Sequence, residues 1–286
     1  LYDNKNVHLE EKDGTLVVST PSTTSVIKTL NHEDFPTIPA PEKEKHFSIN
    51  TQEFLQGLKS VWYSSATSSM KPELSSVYIY PEEESIVFVA TDSFRLAEKR
   101  VKLKKKHDFP PILITFKNIP EIIRVFEEVS DDIEISLNKN QISFLYDGIH
   151  LTSRLVDGAF PDYKQIIPKE FKTEVILLKN DLLNALKMAN VFSDAFHQVT
   201  LKVRPGKKLF EIRTKNFDIG ETVNSVSAAC SGEDLDISFN YKYILDCFSS
   251  ISDDSVSLQL SALNRPMIIR GVSDKTFSYL VMPMNK

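Results

Sequence analysis

The feature that most limits what this chain can fold into is that it repeats itself. Residues Phe116–Asp132 (FKNIPEIIRVFEEVSDD) are echoed by Phe239–Asp254 (FNYKYILDCFSSISDD). The spacing is about 122 residues, the size of a small domain. Upstream in each copy, Phe47–Lys59 (FSINTQEFLQGLK) matches Val175–Lys187 (VILLKNDLLNALK). A third echo links Leu30–Pro36 (LNHEDFP) to Leu155–Pro161 (LVDGAFP), so the end of one further copy precedes the two full ones. Repetition on this scale points to an architecture built by symmetry rather than around one catalytic pocket.

The units are expected at 1–41, 42–171 and 172–286. In the first, Asp13-Gly14 between Val7–Glu10 and Leu16–Ser19 is a two-residue hairpin signal, and Ser25–Leu30 reads as another strand. Pro36, Pro39 and Pro41 mark a linker. Two or three strands cannot bury a core alone, so roughly 80 residues of the first unit are expected to lie outside this chain. Each full unit reads β-α-βββ-β-α-βββ. Helices are predicted at 51–64, with Thr51 as N-cap, and at 119–129, 181–192 and 241–251; a single strand is predicted over 220–227. Antiparallel meanders with two helices per unit give an α+β class, helices on one side and sheets on the other.

Composition narrows the function classes. Apolar residues make up 41% and charged residues 26%, as in ordinary globular proteins. No run of 18 apolar residues exists, so no membrane span is expected. No basic-then-apolar leader opens the chain at Leu1, and a cytoplasmic location is predicted. The two cysteines, Cys230 and Cys247, belong to no C-x-x-C pair, which fits a reducing compartment. A net charge of −5 argues against a basic protein that grips nucleic acid, but not against one that encircles DNA without gripping it.

Chemistry is hard to find. No phosphate-binding glycine loop, zinc-protease helix or nucleophile elbow occurs. The histidines (His8, His32, His46, His107, His150 and His197) are scattered singly. Asp131-Asp132 and Asp253-Asp254 recur at equivalent repeat positions after a helix, where turn chemistry accounts for them. Lys104–Lys106 reads as a solvated loop. Charges on the predicted helices nearly cancel, so only weak, sequence-independent phosphate contact is expected of them. No catalytic residue, metal or cofactor is predicted.

Four motifs carry a resemblance. Ala90–Ala97 (ATDSFRLA) is similar to the T-D-x-x-R-L segment of bacterial sliding clamps, the β subunit of DNA polymerase III. Leu155–Tyr163 (LVDGAFPDY) resembles that family's L-V-D-G-x-F-P-D-Y, and Phe239–Asp246 (FNYKYILD) its F-N-x-x-Y-[LI]-x-D. Tyr279–Met284 (YLVMPM) resembles its closing Y-x-[VI]-M-P-M. The match runs in order along the chain. It implies a DNA-clamp fold: a head-to-tail homodimeric ring, if the first domain is present, with helices lining a hole for duplex DNA. It implies a processivity factor, not an enzyme, whose partners are the polymerase III catalytic subunit, the clamp loader and other proteins bearing clamp-binding motifs. A clamp-derived peptide-binding adaptor that does not encircle DNA is the alternative.

The resemblance also implies sites. The partner-peptide groove maps to Leu74, Thr91, Ser93, Phe94, Arg95, Leu96, Pro161, Gln165, Ile166, Asn240, Tyr243, Asn264, Pro266, Leu280, Val281, Met282, Pro283 and Met284. Its apolar residues suit a short linear peptide, and Arg95 and Tyr243 can hydrogen-bond that peptide. DNA-facing candidates are Lys59, Ser69, Lys71, Lys117, Arg124 and Lys187. The subunit contact would use Ser25 and Ile27 against Val191, Phe192 and Glu221. Ser93-Phe94 stands where relatives commonly have Gly-His or Gly-Tyr, Gln165 replaces a frequent basic residue, and the chain ends Met284-Asn285-Lys286.

Overall fold

Asp13 and Gly14 both adopt positive φ, 48° and 69°, the requirement of the tight turn whose twist matches antiparallel strands. That turn joins β1 (His8–Lys12) to β2 (Thr15–Thr20), and β2 pairs in turn with β3 (Thr23–Lys28). These strands belong to a contact unit, Leu1–Ala40, separate from Pro41–Lys286. β3 is exposed along its whole length and forms an edge of its sheet. The structure, a computed structural model, describes residues 6–30, 33, 45–68, 70–103 and 106–284. The expected linker prolines, Lys104-Lys105 and Ser69 lie outside the described residues.

In the second unit the repeat becomes physical. Its first copy runs β4 (Lys45–Asn50), α1 (Thr51–Val61), β5 (Ser76–Glu82), β6 (Ser85–Thr91), β7 (Arg95–Lys102), β8 (Ile112–Thr115), α2 (Ile119–Phe126), β9 (Asp132–Leu137), β10 (Gln141–Tyr146) and β11 (Ile149–Arg154). The next runs β12 (Thr173–Leu178), α3 (Lys179–Val191), β13 (Gln198–Arg204), β14 (Leu209–Asn216), β15 (Gly220–Ser225), β16 (Ala228–Gly232), β17 (Leu235–Asn240), α4 (Tyr241–Asp246), β18 (Ser255–Leu260), β19 (Met267–Gly271) and β20 (Phe277–Val281). Corresponding strands hold corresponding places: the four-stranded sheet β11-β10-β9-β4 is matched by β20-β19-β18-β12, and the four-stranded sheet β15-β14-β13-β17 is matched by β7-β6-β5-β8. These two matching sets, with β16, merge into one nine-stranded sheet, β16-β12-β18-β19-β20-β7-β6-β5-β8. The merger is made by β20 and β7, whose antiparallel register runs from Phe277 opposite Lys99 to Val281 opposite Arg95.

The helices adjoin in the order α2, α1, α4, α3. Gln52 Nε2 on α1 donates to the carbonyls of Glu127 and Val129 after α2, at 2.9 and 2.7 Å. Ser250, in the turn after α4, donates to Ser60 O on α1 at 3.0 Å, and Tyr241 on α4 donates to Asn190 on α3. One continuous core lies between helices and sheets, including Phe54, Phe88, Phe126, Phe144, Phe210 and Phe239, each no more than 2% exposed. A smaller cluster, Val87, Val89, Leu96, Tyr163, Ile268 and Leu280, lies apart from that core.

Three local expectations change. Asn50, not Thr51, caps α1: its Oδ1 accepts from the Glu53 amide at 3.2 Å, and Thr51 is buried with its amide on Asp131 O. The predicted strand 220–227 is two strands. β15 pairs with β14, then the chain crosses to the other sheet, where β16 pairs with β12. The helix predicted over 241–251 tightens into a 3-10 turn at Cys247–Ser250. Cys230 and Cys247 are free thiols.

Candidate functional site at the seam of the repeats

The seam begins in a tight turn. β6 ends at Thr91, and the Asp92 carboxylate accepts from the amides of Phe94 and Arg95 at 2.9 and 3.0 Å, closing the turn into β7. Ser93 is forced to φ 79°, and Phe94 is left 60% exposed. Beyond β20 the chain continues alongside: the Met282 amide donates to Phe94 O and the Met284 amide to Ser238 O, both at 2.8 Å. Met282, Pro283 and Met284 are thereby held half-buried against the turn.

Across the seam Leu280 stands opposite Leu96 and Ile268 opposite Leu280, a row of apolar side chains on one face of the sheet. Val281, its side chain turned the other way by strand alternation, packs in the main core. Pro161, Gln165 and Ile166 lie on the segment joining the two copies and are exposed, Ile166 by 45%. Leu74 and Thr91 are buried, and Asn264 is exposed beside buried Pro266 in the β18–β19 connection.

Arg95 is committed to the protein itself. Its Nε donates to Asp92 at 2.9 Å, Nη1 to Asp246 and Nη2 to the Tyr63 carbonyl at 2.7 Å, while the guanidinium lies 4.8 Å from the centre of the Tyr243 ring. With 12% of its side chain exposed, it rivets the turn to α4 and to the end of α1. The Tyr243 carbonyl accepts from Tyr279 at 2.8 Å, and Asn240 Oδ1 caps α4 by accepting from Lys242 N at 3.0 Å. These polar groups shape the seam from beneath.

Four side chains at the seam are absent from the expected groove residues: Val87, Val89, Tyr163, which closes one of the motifs, and Ile268. A signal for two of them was present. Ile86–Ala90 is apolar at every position, and such a strand needs cover on both faces.

Lys59, Arg124 and Lys187 on the helices are exposed, as are Lys117 in the 3-10 turn leading into α2 and Lys71 in the turn before β5. Lys59 pairs with Glu127 at 2.9 Å and Arg124 with Glu121 at 2.6 Å. The two carboxylates offset much of that positive charge. Elsewhere, Ile27 is 50% and Val191 65% exposed, Glu221 is exposed, and Phe192 lies beside Gly220 at the start of β15. Ser25 is exposed on β3. The Asp253 carboxylate accepts from the amides of Ser273 and Asp274, a turn role.

Comparison with known proteins points to one family. The DNA polymerase III beta subunit central-domain model matches residues 48–162, and the C-terminal-domain model of the same family matches 164–285. The beta sliding clamp of Bacillus subtilis is 27% identical over 259 residues, covering 89% of this chain and 68% of the relative. That of Synechocystis is 28% identical over 274 residues, 90% of this chain and 70% of the relative. Among solved structures, the DNA polymerase III beta subunit of Thermotoga maritima superposes with a TM-score of 0.91 at 26% identity, covering 98% of this chain and 76% of that one. The B. subtilis clamp gives 0.92 at 26%, covering 98% and 75%. With both domain models matched in order and the same fold recovered along the chain, the chain belongs to the DNA polymerase III beta subunit family, the β sliding clamps.

Proposed function

We propose that the chain works as a replication processivity clamp: a protein that encircles duplex DNA without reading its sequence and tethers the polymerase III catalytic subunit, the clamp loader and other partners through the groove at the seam. The observation that carries this reading is the fusion of two like units into one sheet through β20 and β7. Edge-to-edge joining of repeated units is the operation from which a ring is made. The same operation has material left to act on, because β3 and β15 are exposed edges holding the positions in their units that β20 and β7 hold in theirs. A head-to-tail dimer would pair them, with Ser25 and Ile27 facing Val191, Phe192 and Glu221.

DNA would pass along the helix layer. Lys59, Lys117, Arg124 and Lys187 on that layer, with Lys71, supply weak attraction, and the pairing of Lys59 and Arg124 with carboxylates keeps the grip loose. No catalytic role is assigned to any residue, and a cytoplasmic setting suits the free thiols.

The groove is tested by fluorescence titration of a labelled peptide carrying a Gln-x-x-Leu-Phe motif. Affinity on the order of micromolar is expected, as for short linear-motif interfaces. Met282→Ala should weaken it several-fold, since the half-buried thioether stands at the end of the apolar row. Absence of binding, unchanged by Met282→Ala, would remove the site.

A further inference from the structure

The segment 160–167 carries three of the groove residues across the sheet, and it has no strand or long helix of its own to hold it in place. Only a 3-10 turn at Tyr163–Ile166 gives it regular structure. Its position is set by side chains. Phe160 stacks on Tyr78 of β5, ring centres 4.7 Å apart and planes within 6° of parallel. Tyr163, 5% exposed, donates its hydroxyl to the Glu98 carboxylate of β7, while the Tyr80 hydroxyl lies 2.8 Å from the Tyr163 hydroxyl. Lys164 donates to Glu82 at 2.6 Å with its ammonium 5.5 Å from the centre of the Tyr80 ring. Arg100 closes the array, its Nε on Glu98 at 2.9 Å and its Nη1 on Glu82.

Glu98 is the unusual member. It is a carboxylate 8% exposed on a strand whose alternation sends Leu96, Glu98 and Arg100 to the same face as the apolar row. A buried charge costs free energy unless hydrogen bonds compensate it, so Glu98 holds its partners firmly. The anchors bracket the groove residues. Pro161 lies between Phe160 and Tyr163. Gln165 and Ile166 lie between Lys164 and Ile167, which packs back on the apolar cluster. With both ends pinned inward, Ile166 is left 45% exposed and Gln165 points to Asp162, 2.7 Å away.

We infer that the Tyr163–Glu98 hydrogen bond, backed by the Arg100–Glu82–Lys164 ion-pair chain, is a latch that holds one wall of the groove in binding-ready geometry, making Tyr163 and Glu98 positioning residues for capture of an extended apolar peptide. The inference rests on the groove reading proposed above. A wall already ordered in the free protein spares the peptide the cost of ordering it, and affinity gains by that amount.

The test uses Tyr163→Phe, which keeps the ring and deletes the hydroxyl, and Glu98→Gln, which keeps an oxygen to accept from Tyr163. Two readouts are taken: affinity for the labelled Gln-x-x-Leu-Phe peptide, and hydrogen exchange at the amides of Lys164–Ile167, with thermal midpoints to show that each variant is folded. Tyr163→Phe should exchange faster at those amides and bind about tenfold more weakly, the lower end of what one hydrogen bond to a charged group contributes. Glu98→Gln should move both readouts in the same direction but by less, because it keeps one acceptor oxygen while losing the charge and setting an amide NH2 against Tyr163 or Arg100. Unchanged exchange in Tyr163→Phe, or faster exchange with unchanged affinity, overturns the latch. Failure of the wild-type chain to bind the peptide overturns the groove reading itself.

Discussion

Two residues show how packing decides against ordinary propensity. Gly57 sits in the middle of α1, where glycine usually weakens a helix by about 1 kcal/mol relative to alanine. A Cβ there would lie 2.6 Å from Cζ of Phe88, a ring buried in the core between α1 and the sheet. Gly57→Ala is therefore expected to destabilise by about 1–3 kcal/mol, since overpacking outweighs the propensity gain; denaturant midpoints at an unchanged slope would measure it. Ser93 is the opposite case. It bears a side chain at φ 79°, a conformation that penalises Cβ by roughly 1 kcal/mol. Ser93→Gly should raise stability by up to about 1 kcal/mol, and Ser93→Val, with its branched Cβ, should lower it.

At the scale of elements, strands of the nine-stranded sheet are tied by carboxylates whose ionised form is favoured. Glu174 on β12 accepts from Gln259 Nε2 at 3.0 Å and Ser257 Oγ at 2.7 Å, and those hydrogen bonds hold its pKa below the usual range. Glu82 is lowered likewise by hydrogen bonds from Lys164 and then Arg100. A carboxylate with a lowered folded-state pKa contributes stability that is present above its unfolded value, about 4.3, and is lost as pH falls through the folded value. Thermal midpoints should change little between pH 8 and 5 and drop below about pH 4, less steeply in a Glu82→Gln, Glu174→Gln double variant. These elements were unequally legible in the sequence. The repeat, the Asp13-Gly14 hairpin and the helix starts were readable, because turn chemistry and amphipathic spacing are local. The division of 220–227 into two strands was not, because the chain changes sheets at Val226-Ser227 without a proline or glycine to mark it. At the seam, Leu96 and Leu280 could be named from motifs. That Val281 faces the core, and that Arg95 spends its donors on Asp92, Asp246 and Tyr63, depends on pairings between residues far apart in sequence, 151 positions for Arg95 and Asp246.

For the whole molecule, the decisive question is what covers the open edges. An exposed strand edge offers unpaired backbone groups to another chain, and proteins either blunt such edges or use them. β15 carries Val223, 51% exposed, and close by are Phe217 and Ile219, 93% and 62% exposed. β3 carries Val26 and Ile27, 65% and 50% exposed. Neither edge is blunted by proline or lysine except at the last residue of β3, Lys28. Inside the second unit, the corresponding strands β7 and β20 meet in a register that joins the two copies. If β3 of one copy meets β15 of another in the same way, association is head-to-tail and each chain offers both halves of the contact. Sedimentation velocity should then show a concentration-dependent dimer. Ile27→Asp and Val223→Asp should each shift it to monomer by placing a charge in the paired interface, with the far-ultraviolet spectrum unchanged. Because the contact is heterologous, an equimolar mixture of the two variants should regain association at one of the two junctions, since a wild-type β3 on one variant still meets a wild-type β15 on the other. An isologous contact, in which each mutated edge would face itself, predicts no such recovery, so the mixing experiment distinguishes a ring built by repetition from simple pairing of like faces.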